Sequence, residues 1–129
     1  EHNSVAKGRR MNRYGEGEKG EVIAREYLRD KGYIILDENV RYKSIGEIDL
    51  IALDKGDLVI VEVKTRSSYD FGDPLLSITP KKIKSLIKAT ELYIGSVKLS
   101  YRDIRFDVIV VFNDEVTHIK EAFYGYWNG

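Results

Sequence analysis

At 129 residues, 43% of them hydrophobic, the chain can form one domain with a proper core of one sheet and a few helices. The lack of cysteine excludes disulfides and thiolate metal sites and makes a reducing cytoplasm the expected compartment; no apolar run has the length of a membrane span or the pattern of a secretion signal. Lys+Arg and Asp+Glu each number 21, so net charge says nothing about partners, and the distribution of charge must be read instead.

Residues 1–13 are polar and without periodicity, and Lys7, Arg9, Arg10 and Arg13 crowd there. They are expected to be a disordered or partly non-native arm, with 14–129 as a single domain. From about Gly17 to Lys31 the pattern is helical. Val22, Ile23, Tyr27 and Leu28 recur at helical spacing, Glu16, Glu18 and Glu21 suit the positive end of the helix dipole, and Gly32 is a stop. Gly15 to Gly20 spells G-x-G-x-x-G, but no strand precedes it and its two glutamates would oppose a pyrophosphate, so the dinucleotide reading is rejected.

Tyr33 to Leu36 reads as a strand that continues raggedly toward Arg41. Ile48–Leu53 and Leu58–Lys64 follow, joined by Asp54-Lys55-Gly56-Asp57, which is hairpin chemistry. The second of these strands is apolar on both faces and is expected to be central. Residues 65–80 read as a loop. Thr79 is then an N-cap and Pro80 the first residue of a helix running to about Ile94, with Ile83, Leu86, Ile87, Thr90 and Ile94 inward and Gly95 as its end. Lys81, Lys82, Lys84 and Lys88 crowd this helix with no acid among them. Arg105–Phe112 is a further strand, Val116–Lys120 a short closing one, and Phe123–Trp127 an aromatic tail that packs on the domain or a partner. Helix, three strands, helix and two strands make a mixed α/β sandwich. His2 and His118 form no zinc pattern, and no serine or cysteine nucleophile constellation is visible.

Chemistry concentrates between Gly46 and Arg66, GEIDLIALDKGDLVIVEVKTR. Strand side chains two apart share a face, so Glu47 with Asp49, and Glu62 with Lys64, point the same way. If the strands pair, three carboxylates and an ammonium converge. Mg²⁺ takes one or two carboxylates and leaves its other positions to water and substrate phosphate. Asp49 and Glu62 supply that minimum, the Val63 carbonyl could add a ligand, and Lys64 could orient water or stabilise developing charge. Glu21 could join from the first helix. Each has a plainer reading: an exposed helix acid for Glu21, a salt bridge to Arg41 or Lys43 for Glu47, and a structural lysine–carboxylate pair at a sheet end for the rest. Spacing leaves these alternatives open.

The stretch resembles the PD-(D/E)XK nuclease superfamily, with Asp49 in the place of its aspartate and Glu62-Val63-Lys64 in the place of its (D/E)XK; Ile48 stands where the superfamily often has proline. More narrowly, the chain resembles the uncharacterised bacterial YraN-like family from about Gly17 to Phe123. The matching residues are Gly20-Glu21, Ala24, Tyr27-Leu28, Gly32-Tyr33, Gly46 to Ala52, Val61 to Arg66, Lys82 and Arg105 to Val108. That resemblance implies a restriction-endonuclease-like three-layer α/β/α fold, a mixed central sheet flanked by helices, close to archaeal Holliday-junction resolvases. Those are dimers that cut branched DNA with Mg²⁺. It also implies that Asp49 and Glu62 are metal ligands, Lys64 the catalytic lysine and Glu21 the helix-borne acid. The expected function is therefore a Mg²⁺- or Mn²⁺-dependent endonuclease acting on DNA, with Arg41, Lys43, Arg66, Lys81 and Lys82 against phosphates. The alternatives are a non-catalytic nucleic-acid-binding module of the same fold and an interaction protein working through its aromatic tail and sheet edge.

Overall fold

The computed structural model describes residues 16–66, 72 and 77–123. In chain order the elements are α1 (Glu16–Asp30), β1 (Ile34–Tyr42), β2 (Gly46–Asp54), β3 (Asp57–Arg66), α2 (Pro80–Ser96), β4 (Ile104–Phe112) and β5 (Glu115–Phe123). The strands form one sheet in sequence order, β1-β2-β3-β4-β5. All neighbours are antiparallel except β3 and β4, which run parallel. Parallel neighbours need a crossover, and α2 provides it.

Alternation along the two inner strands sorts the core into two layers. Val59 and Val61 of β3, with Ile109 and Val111 of β4, face α1 and pack with Ile23, Ala24 and Leu28. Leu58 and Ile60, with Phe106, face the opposite way and pack with Leu86, Ala89 and Tyr93 of α2. With a helix on each face, this is the restriction-endonuclease-like three-layer α/β/α arrangement. β3 occupies the middle of the sheet, which is why its sequence is apolar on both faces.

Local chemistry sets the element ends. The Tyr33 amide donates to the Leu28 carbonyl and the Gly32 amide to that of Arg29, both at 3.0 Å, and Gly32 takes φ +93°. Those paired bonds close α1 in a Schellman motif, with Tyr33 and Leu28 in one apolar cluster. Lys55 and Gly56 both have positive φ, as a two-residue type I′ hairpin turn requires. Thr79 caps α2, its hydroxyl accepting from the Lys82 amide at 3.2 Å.

Several boundaries differ from the sequence reading. β3 runs through Thr65 and Arg66, which the sequence assigns to the loop, because β4 pairs alongside them as far as Arg66↔Phe112. Residues 67–71 and 73–76 of that expected loop lie outside the described residues. Gly95 does not end α2, which continues to Ser96; the Ser96 hydroxyl donates to the Tyr93 carbonyl at 3.0 Å. β5 is longer than the Val116–Lys120 segment. It takes in Phe123, whose ring stacks on Phe106 with centroids 5.3 Å apart. Tyr124 to Trp127 and residues 1–13 lie outside the described residues.

Candidate active site

β2 and β3 are in register from Asp54↔Asp57 to Leu50↔Val61. Beyond that point a side chain bridges them: the Val63 amide donates to Asp49 Oδ2 at 2.8 Å. A carboxylate is thereby fixed where the ladder ends. Asp49 is 7% exposed and Glu62 4% exposed. Glu62 shares its pleat face with Leu58 and Ile60, so it points toward the α2 layer.

Glu62 is bracketed by two lysines. Lys64, two residues on along β3, places Nζ 3.7 Å from Glu62 Oε2, as expected for neighbours on one face. Lys82, from the first turn of α2, places Nζ 3.4 Å from the same oxygen. The other oxygen, Oε1, is buried without a hydrogen-bond partner among the described residues. Burial raises the Glu62 carboxyl above its ordinary range and Asp49 adds to that, while the two lysines pull it down; burial wins. Asp49 is raised too, by burial first, against the Val63 amide that stabilises its charged form. Glu21, half-buried on α1, is pushed up to about 7, by burial and then by the Asp49 charge. The α1 acid therefore feels the charge of Asp49, which in turn acts on Glu62. Gly20 explains the approach: a Cβ there would collide with Thr65 Oγ1, so the start of α1 lies against the end of β3.

Glu47 pairs with Arg41 at 3.4 Å, while its charge still raises Asp49 and Glu21. Arg41, Lys43, Glu47 and Lys82 line a groove of about 450 Å³ between the β1–β2 turn and α2, adjoining Glu62 through Lys82. Gly46 admits α2 here: a Cβ at Gly46 would sit 3.1 Å from Ser85 Cβ. Arg66 stands off the groove and donates to the Gly72 carbonyl at 3.1 Å. Lys81 is exposed on α2 and has no ion pair among the described residues.

The donor set suits a hard divalent cation in the minimal form. Asp49 and Glu62 offer carboxylate oxygens, the unpartnered Glu62 Oε1 is the kind of buried acceptor a cation satisfies, and Val63 adds a backbone carbonyl. Among the described residues no three His, Asp or Glu side chains are gathered as a closed cage.

A second polar cluster escaped the sequence reading. Asp107, fully buried on β4, accepts from Arg105 Nε at 2.9 Å and Nη2 at 3.0 Å, and lies 2.7 Å from His118 Nε2 on β5. Arg105 also reaches Asp54 at 3.2 Å and the Tyr33 hydroxyl at 2.8 Å, and His118 Nδ1 lies 3.1 Å from the Tyr27 hydroxyl. His118 is thus more than the ordinary strand residue expected of it. The signal was present in Arg105-x-Asp107, two charges sharing one face of an apolar strand, the same pattern that singled out Glu62-x-Lys64.

The fold places the protein among restriction-endonuclease-like α/β proteins. More narrowly, the chain belongs to the uncharacterised protein family UPF0102, whose sequence model matches residues 20–111. A UPF0102 protein of Persephonella marina is 44% identical over 108 residues, 84% of this chain and 92% of the relative. One from Caldanaerobacter subterraneus is 42% identical over 122 residues, 89% and 99% of the two chains. One from Thermodesulfovibrio yellowstonii is 44% identical over 114 residues, 88% and 100%. Among the described residues no helix is long and apolar enough to cross a membrane.

Proposed function

We propose that the protein is a metal-dependent endonuclease that hydrolyses phosphodiester bonds in DNA, with branched or otherwise structured DNA as its substrate. The observation that carries this reading is the pair of buried carboxylates, Asp49 and Glu62, held where β2 and β3 part, with two lysines on one of them. Two buried acids and two buried-edge cations are costly to maintain for stability alone, because apolar side chains of similar volume would do as well or better.

Asp49 and Glu62 would hold Mg²⁺ or Mn²⁺, with the Val63 carbonyl as a further ligand. Bound there, such a cation supplies positive charge against the phosphate oxygens. The remaining chemistry belongs to the chain. The Val63 amide fixes Asp49 in one orientation. Lys64 holds an ammonium beside Glu62, where it can orient the attacking water and stabilise charge developing on phosphorus. Glu21, poised near neutrality, can take or return a proton at the edge of the site. Arg41, Lys43 and Lys82 line the adjoining groove, and with Lys81 and Arg66 they would bind backbone phosphates, which gives affinity with steep salt dependence and little sequence information. A homodimer would present two such sites related by a two-fold axis, as cutting both strands of a junction requires.

The test is a panel of single-stranded, duplex and four-way-junction DNAs incubated with Mg²⁺ or Mn²⁺. Cleavage is expected, strongest on the junction, and Asp49→Ala or Glu62→Ala should lower the rate at least ~100-fold. Full activity in either variant would sink the site. Salt-sensitive binding with no turnover, surviving Glu62→Ala, would identify a non-catalytic binding module instead.

A further inference from the structure

Glu62 is shared by two lysines, and their charges matter to any cation that enters. Asp49 and Glu62 carry two negative charges, and Lys64 and Lys82 carry two positive ones, so the cluster is neutral as it stands. A divalent cation entering between the carboxylates would leave the two ammonium groups without their counter-charge. The cheapest relief is for one lysine to leave. Lys64 is the less free of the two: it extends from a central strand, and its side chain is 26% exposed. Lys82 is 37% exposed, on a flexible stem at the rim of the groove that Arg41 and Lys43 also line.

Its place on the helix points the same way. Lys82 sits in the first turn of α2, and that turn contains no acidic residue. That is the positive end of the helix dipole, where an ammonium is disfavoured and an anion is favoured. Lys82 therefore leans on Glu62 for compensation, and a phosphate oxygen in the groove would compensate it better.

We propose that Lys82 is a displaceable counter-ion: it occupies Glu62 in the metal-free protein, competes with the divalent cation for that carboxylate, and on displacement turns to a DNA phosphate in the Arg41–Lys43 groove. The inference rests on Asp49 and Glu62 being the metal site. It adds that metal and DNA favour each other's binding through one side chain. By linkage, whatever draws Lys82 off Glu62 strengthens the metal's hold, and the metal in turn frees Lys82 for phosphate.

The deciding measurement is calorimetric titration of Mg²⁺ into DNA-free protein. Lys82→Met should bind Mg²⁺ more tightly than the natural chain, by roughly three- to tenfold for loss of one partly exposed ion pair. Lys82→Arg, which keeps the charge, should stay near the natural affinity. Lys84→Met removes the same charge from the same helix, at an exposed position without an ion pair to Glu62, and should change the affinity less than about twofold. Binding to a junction DNA should weaken in Lys82→Met, so that the two affinities move in opposite directions. Unchanged Mg²⁺ affinity in Lys82→Met, or equal tightening in Lys84→Met, overturns the counter-ion role while leaving the metal site standing. No Mg²⁺ binding by any of the proteins overturns the metal site, and this proposal with it.

Discussion

Glu21 is the residue at which stability and proposed chemistry pull apart. Its carboxyl is pushed up to about 7, first by burial and then by Asp49, with Glu47 and Glu38 adding to the shift and an Asn39 hydrogen bond opposing it. An acid whose folded value lies above its unfolded value, about 4.3, favours the fold while protonated. That contribution is complete below the unfolded value and is lost as pH rises through about 7. In metal-free protein, Glu21→Gln should therefore match the natural chain at about pH 4 and be more stable at about pH 8. The gain should be about 1 kcal/mol, well below the full shift, because Glu21 is half-exposed and screened. Urea midpoints at the two pH values check this, and a variant less stable at the higher pH would contradict it. Added Mg²⁺ should narrow the difference, since a cation beside Asp49 offsets the field that Glu21 feels.

At the scale of elements, the contact between α1 and β3 decides whether Glu21 reaches the strand acids at all. Gly20 permits it, since a Cβ there collides with Thr65 Oγ1, next to Lys64. Two effects of opposite sign compete in Gly20→Ala. Alanine favours the helix by roughly 0.5–1 kcal/mol over glycine. Overpacking against β3 costs about 1–3 kcal/mol. The overpacking should prevail, leaving a net loss of about 1 kcal/mol, and Thr65→Ala in the same chain should restore stability by removing the obstruction. A double-mutant cycle in urea measures the coupling; a stabilised Gly20→Ala would mean that Thr65 simply rotates aside. α2 shows the limit of reading faces from periodicity. Leu86 and Thr90 are buried as expected, but Ala89 and Tyr93 complete the buried face. Ile87 and Ile94, half-buried, pack on the margin of that buried cluster and also line an open groove with Tyr101 and Phe123. The helix has a wider apolar stripe than the sheet beneath it covers, and spacing cannot say which part of the stripe is used.

At the scale of the whole molecule, the Arg105–Asp107–His118 cluster ties α1, the α1–β1 turn, β2, β4 and β5 to one point. Burial would raise Asp107, but the bonds from His118, Arg105 and the Glu121 amide outweigh it and hold the carboxyl below its ordinary value. The Glu121 amide donates to Asp107 Oδ1 at 3.1 Å where the β4–β5 register breaks, so the side chain replaces a ladder bond there. Asp107→Asn leaves Arg105 without its main counter-charge and should cost roughly 3 kcal/mol or more. The sign of the pH dependence follows from the depressed value. Stability from Asp107 is fully present above its unfolded pKa, about 3.9, and is lost as pH falls through the lower folded value. The gap between natural and variant protein should therefore be present at about pH 5 and shrink below about pH 4. Chemical denaturation across that range tests it, and a gap that persists at about pH 2.5 would show that the carboxylate charge is not what matters.

The sequence by itself determined the element order, the hairpin and its turn, the N-cap of α2, the central place of β3 and the pairing of Glu62 with Lys64. All of these depend on neighbours a few residues apart, where period-2 and period-3.6 patterns and turn chemistry speak directly. The resemblance of the GEIDLIA block and EVKTR to the YraN-like family also marked Asp49. Only the tertiary structure decided that α1 brings Glu21 into the field of Asp49, that Glu47 turns to Arg41, that Lys82 shares Glu62 with Lys64, and that Arg105, Asp107 and His118 form one buried network. Each of those arrangements draws at least one partner from another element, and Lys82 meets Glu62 across the two layers. Their geometry is set by sheet register and by how closely a helix can approach at Gly20 and Gly46, which no local pattern encodes.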